Sequence, residues 1–247
     1  MKSKFLFIVF LALSQWAIGQ DAKEIIKRME DNMRGDFAYM ELEMTIVRPK
    51  FTREMGMKSW SRGENFSIIL ITSPARDKGT AFLKRNKEIW NYMPSIERMI
   101  KMPPSMMSQS WMGSDFTNDD LVRESSNIND YEQTILRTET YNNRPCYVVQ
   151  LVPKPNAAVV YAKVIMWVDK EKYIQLKVEN YDEYGDLANS VLFSDVKNLG
   201  GKEIPCKMEL IPTDKKGNRT IMIYKAADFK TDIPESFFSV QNLKQLR

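Results

Sequence analysis

The chain holds no histidine. That removes every His-based triad, every His general base and every His-ligated metal site. The remaining nucleophile of interest is Ser114, next to Asp115, and only a lysine could activate it. A chain with 36 Lys and Arg residues supplies such neighbours by composition alone. An enzyme is therefore not expected. Asp115, Thr117 and Asp119 have the spacing of the first ligands of a calcium loop. Asp120 stands where that loop needs glycine, and Ser126 where it needs glutamate. A solvated, turn-capping acidic stretch is expected there, with no metal and no cofactor. The two cysteines are too few for a Cys₄ zinc site or a disulfide framework. Cys146 and Cys206 each follow a proline at a strand start. They can pair if their Cα atoms lie within about 7 Å; otherwise they are two buried free thiols.

Methionine is the positive signal. There are 16, beside 5 Trp, 12 Phe and 10 Tyr. Six of the methionines, Met93, Met99, Met102, Met106, Met107 and Met112, crowd one stretch, with Trp90, Ile96, Ile100, Trp111 and Phe116 among them. Methionine is unbranched and polarizable and adapts to irregular apolar partners. These side chains are expected to line or gate an apolar cavity; the alternative is that they plug the core beneath a long connection. Lys84, Arg85, Lys87, Arg98 and Lys101 form a basic rim nearby. Such a rim is either ordinary surface charge or an attraction to an acidic partner or to anionic head groups. The formal charge of +4 is too small to point to nucleic acid.

The elements that must position these residues follow from pattern. Lys2 and Lys4, an apolar run from Phe5 to Leu13, and Ala17-Ile18-Gly19 read as an export signal over 1–19, cut before Gln20. The run is far shorter than the roughly 20 residues that cross a bilayer. The mature chain is expected to be exported, as one domain over 20–247 and as a monomer. Asp21 and Glu24 open a helix whose Ile25, Ile26, Met29 and Met33 share a face, and Gly35 ends it. The period then changes from 3.6 to 2, with Met40, Leu42, Met44 and Ile46 alternating with polar residues as part of a cavity wall. Further strands are expected up to 93 and again from 133 to 226, about eleven in all. Turn residues such as Asn142-Asn143 and Gly200-Gly201 separate them. Links this short make neighbours antiparallel, and so wide a meander curls. Only 94–130 breaks the rhythm. Within it Pro104 is expected to open a short helix and Thr117 with Asp120 to cap another. A C-terminal piece is expected to return with Phe237, Phe238, Val240 and Leu243 on the body.

The run from Trp90 to Arg98 (WNYMPSIER), then Trp111-Met112-Gly113-Ser114-Asp115-Phe116 and Asp119-Asp120-Leu121, resembles the outer-membrane lipoprotein-sorting (LolA-like) family. Tyr161 to Val164 and Trp167-Val168-Asp169-Lys170 add to the resemblance. It covers about residues 22–245, in order. It implies a mainly β fold with some helix: a half-open, strongly curved antiparallel barrel whose helices cover a concave apolar face. It also implies a periplasmic carrier that binds acyl chains of lipids or lipoproteins. Partners would be an inner-membrane exporter and an outer-membrane acceptor. The alternative is a lipid-sensing or scaffold protein on the same fold that transfers nothing.

Overall fold

The computed structural model describes residues 21–123 and 127–246. The expected export signal over 1–19 and Ser126 lie outside the described residues. Helix α1 (Ala22–Arg34) comes first. Strands β1 (Phe37–Arg48), β2 (Phe51–Arg62), β3 (Phe66–Ser73), β4 (Ala81–Arg85), β5 (Glu88–Met93) and β6 (Arg98–Lys101) follow. After an irregular segment come β7 (Tyr131–Tyr141), β8 (Arg144–Pro153), β9 (Lys163–Asp169), β10 (Gln175–Tyr181), β11 (Leu187–Leu199), β12 (Lys202–Pro212) and β13 (Arg219–Asp228). A single 3₁₀ turn and the short α2 (Val240–Leu243) close the chain.

Among the described residues thirteen strands form one antiparallel sheet, ordered β6-β5-β4-β3-β2-β1-β13-β12-β11-β10-β9-β8-β7. Two meanders thus meet where β1 pairs with β13, and β6 and β7 are left as edges. The sheet curves without closing. The strand not foreseen in the sequence is β6, which lies inside the stretch expected to be irregular. It forms because Arg98–Lys101 folds back on β5 in a hairpin, with Glu97 at φ 50 in its turn. Among the described residues no helix is long and apolar enough to cross a membrane.

Local chemistry explains the elements. The Asp21 carboxylate accepts from the Lys23 N–H at 3.0 Å, and Gly35 (φ 64) donates back to the Asp31 carbonyl. Asn142 and Asn143, at φ 50 and 60, make the tight β7–β8 turn. Gly200 has no substitute between β11 and β12: a Cβ there would lie 2.6 Å from the Ala227 carbonyl.

One apolar cluster draws on α1 and on strands from both meanders. Residues so far apart along the sheet meet only on its concave side. Ile25, Ile26 and Met29 of α1 are buried in it, each worth roughly 1.5–3 kcal/mol against exposure. A second cluster lies on the other face of β3–β5, where Ile68, Leu70, Ala81 and Leu83 are covered by Ile233, Phe238 and Leu243 of the C-terminal tail. This corrects the expectation that the helices cover the concave face: α1 does, whereas α2 lies on the convex one. The reason is in the strands. Ile68-Ile69-Leu70-Ile71 and Ala81-Phe82-Leu83 are apolar at successive positions, so both of their faces need cover.

The segment 102–130 links the two sheet edges and sends Met102, Met107, Trp111, Phe116 and Val122 into the concave core. Pro104–Met106 is a 3₁₀ turn, as the proline suggests. The Thr117 N–H and Asp120 carboxylate cap the next turn at 2.7 Å. Three anchors hold the segment: Asp115 to Arg48 and Thr220, the Gly113 carbonyl to Arg48, and the Met112 carbonyl to Arg53.

Candidate functional site

The strand register lines up a row of inward side chains across five strands. Met55 of β2 opposes Met44 of β1, which opposes Met222 of β13, then Met208 of β12, then Phe193 of β11. Above this row and under the C-terminal half of α1 lies a groove. One lobe, about 240 Å³, is lined by Met29, Met33, Met40, Leu42, Met57, Ile69, Phe193, Met208, Met222 and Tyr224. A second lobe, also about 240 Å³, is lined by Tyr131, Tyr161, Val164, Met166, Val178, Asn180 and Val191. Both lobes include Arg34, Asp120, Asn127, Gln175 and Phe193, so they are halves of one groove. Together they fall in the range of about 300–1,000 Å³ typical of small-molecule sites.

The two lobes differ in chemistry. The first is a methionine wall. The second carries a chain of buried polar groups. The Asn180 amide donates to Asn189 at 2.9 Å, Asn189 donates to the Tyr161 hydroxyl at 3.1 Å, and that hydroxyl donates to Asp120 at 3.3 Å. Burial pushes the Asp120 carboxyl up to about 6, and its bonds from Thr117 only partly offset this. Burial, with the Asp120 charge second, also pushes the Tyr161 hydroxyl well above its ordinary value.

The structure gathers some of the residues singled out in the sequence and disperses others. Met40 and Leu42 line the groove. Met44 and Ile46 are fully buried beside it. Trp111 and Phe116 are core, and Met106 and Met112 pack against that core half-buried. Met102 and Met107 are also buried, at the edge of a separate opening of about 610 Å³ with Lys84, Lys87 and Ile89. Trp90 and Met99 are on the convex face against the C-terminal tail, a correction to their expected place in the cavity. Ile96 and Ile100 are exposed on the β5–β6 hairpin and Met93 is half-buried, so none of the three lines the groove. The hairpin turns this part of the methionine cluster away from the concave side. Not singled out as lining were Met33, Met57, Met208 and Met222; Met33 was marked only by its helix face, and the three strand methionines only by inward parity, Met208 and Met222 standing alone in their strands.

The remaining candidates have structural partners. The Ser114 hydroxyl is buried and accepts from the Phe116 N–H at 3.2 Å. Asp115 faces Arg48 and Thr220 while Thr117 faces Asp120, so the calcium-loop spacing does not converge on a point. The acidic stretch caps turns as expected but is buried rather than solvated at Asp119. In the basic rim Arg85 pairs with Glu235 and Lys101 with Glu88. Cys146 and Cys206 are both free. Their strands, β8 and β12, are four spacings apart, about 19 Å along the sheet. Cys146 packs on the convex side with Trp167, while Cys206 shares the inward parity of Met208 and Leu210.

The curled, open antiparallel sheet with a helix over its concave apolar groove is a fold shared with solved structures. A LolA superfamily protein from Nitrosomonas europaea superposes with a TM-score of 0.77 at 24% identity, over 90% of this chain and 99% of that one. An outer membrane lipoprotein-sorting protein domain from Vibrio parahaemolyticus gives 0.81 at 24%, over 90% and 98%. A DUF1329 family protein from Desulfovibrio piger gives 0.82 at 21%, over 90% and 97%. The LolA-like resemblance read from the sequence is thus shown at the level of the fold. A family model described as "-like: Uncharacterized protein" matches residues 63–245, and the chain belongs to that family. No curated protein matches it.

Proposed function

We propose that this protein is a non-enzymatic carrier that holds the acyl chains of lipids or lipoproteins in the concave groove and moves them across the periplasm. In this reading it receives cargo from an inner-membrane exporter and passes it to an outer-membrane acceptor. The observation that carries the proposal is the methionine wall: Met29, Met33, Met40, Met57, Met208 and Met222 face one void under α1. An acyl chain gains about 0.8 kcal/mol per methylene on leaving water. A flexible thioether wall accepts chains of differing shape without locking one geometry, which suits cargo that must leave again. The neighbouring folds support the same use, since one of them is an outer membrane lipoprotein-sorting protein domain.

The test is native mass spectrometry of protein purified from cell envelopes, followed by titration with a fluorescent fatty acid. Co-purifying lipid mass and saturable uptake are expected. Lipid-free protein with no uptake would sink the proposal. A donor-to-acceptor vesicle assay then separates a carrier, which transfers the probe, from a sensor, which binds it and keeps it.

A further inference from the structure

The polar chain in the second lobe is out of place in an apolar carrier. Asn180 and Asn189 oppose each other across β10 and β11 and are 6% and 5% exposed. Their inward neighbours along the same strands are Val178, Val191 and Phe193. A pair of valines there would continue the wall without the cost of desolvating two amides. The amides are instead chained through Tyr161 to Asp120, and Asn180, Tyr161 and Asp120 all line the same void. Departures from local apolar consistency of this kind belong to functional sites.

We infer that the groove takes an amphiphile whose neutral hydrogen-bonding group, an amide or hydroxyl beside the acyl chain, seats in the second lobe against Asn180 and Tyr161 while the chain fills the methionine lobe. This deepens the carrier reading and rests on it. The five residues shared by the two lobes let one molecule span both. An asparagine amide offers both a donor and an acceptor, the complement of an amide or hydroxyl. Asp119 and Asp120 on the wall disfavour a carboxylate or phosphate at that depth, with Arg34 at the junction of the lobes as the nearby cation.

The test displaces a bound fluorescent acyl probe with three competitors of one chain length: oleate, oleamide and 1-monooleoylglycerol. The two neutral amphiphiles are expected to compete at concentrations about tenfold or more below oleate. Asn180→Val should abolish that preference, with each competitor read against the probe affinity measured for the folded variant. If circular dichroism shows that Asn180→Val is unfolded, Asn180→Thr takes its place, and the wild-type preference stands as a measurement by itself. Equal competition by all three, or a preference unchanged in the folded variant, overturns the inference and leaves the carrier reading standing. No uptake of the probe by the wild type would overturn both.

Discussion

Arg48 and Asp115 are 67 residues apart in sequence and form an ion pair of 2.9 Å, with side chains 14% and 2% exposed. Arg48 ends β1, and Asp115 belongs to the irregular segment between the sheet edges. The pair, with the Thr220 hydroxyl donating to Asp115 at 2.7 Å, ties that segment onto the β1–β13 seam. Arg48→Met would leave a buried carboxylate with a hydroxyl as its remaining side-chain partner. Its expected cost is about 3 kcal/mol or more by urea unfolding. The double change Arg48→Met with Asp115→Leu should recover much of that loss. A single variant as stable as wild type would show that the segment is held by other means.

Asp120 sets a pH dependence. Its folded value of about 6 lies above the ordinary 3.8, so the folded state holds the proton more tightly. The stability it lends is therefore full below about 3.8 and is lost as pH rises through about 6. Asp120→Asn removes this slope. Relative to wild type, the variant should gain about 2 kcal/mol between pH 4 and pH 8. Parallel stability profiles across that range would contradict the assignment.

Filling the groove should block it. Met33 is half-buried on α1 and faces the methionine lobe. Met33→Trp is expected to weaken uptake of a fluorescent fatty acid at least about tenfold, at a stability cost of about 1–3 kcal/mol. Ile96→Ser, on the exposed β5–β6 hairpin, should leave uptake unchanged. The reverse pattern would move the site to the hairpin.

Neither thiol should form a bridge. Burial pushes both Cys146 and Cys206 up from their ordinary value, which keeps them as thiols. Alkylation without reductant should be slow on the native protein and modify both cysteines after unfolding. An intact mass two hydrogens lighter than the reduced chain would show a disulfide instead.

The convex cluster should matter for stability alone. Phe238 is fully buried against β3 and β4, on the far side of the sheet from the groove. Phe238→Ala is expected to cost about 3–5 kcal/mol and to leave acyl uptake by the folded protein unchanged. A loss of uptake at full folding would mean that the two faces are coupled.

How much of the site was legible in the sequence follows from the range of the interactions involved. The cluster from Met93 to Met112 is conspicuous because its members are close in sequence. Closeness in sequence does not decide a face. The β5–β6 hairpin and the C-terminal tail carried Trp90, Met99, Ile96 and Ile100 away from the groove. Met208 and Met222 carry no local signal beyond parity, and the groove needs β13 to pair with β1, some 180 positions earlier.

What the sequence by itself determined was local. Asp21 and Gly35 bound the first helix, alternation from Met40 to Ile46 sets the inward face of β1, and Asn142-Asn143 makes a hairpin turn. Each of these depends on a backbone preference or a side-chain period within a few residues. Only the tertiary structure decided that 102–130 would be drawn into the concave core and that α2 would cover the other face. It also decided that methionines from α1 and from both meanders would share one void. Those outcomes depend on which apolar surfaces meet when the sheet curls, and a one-dimensional pattern carries no record of curvature.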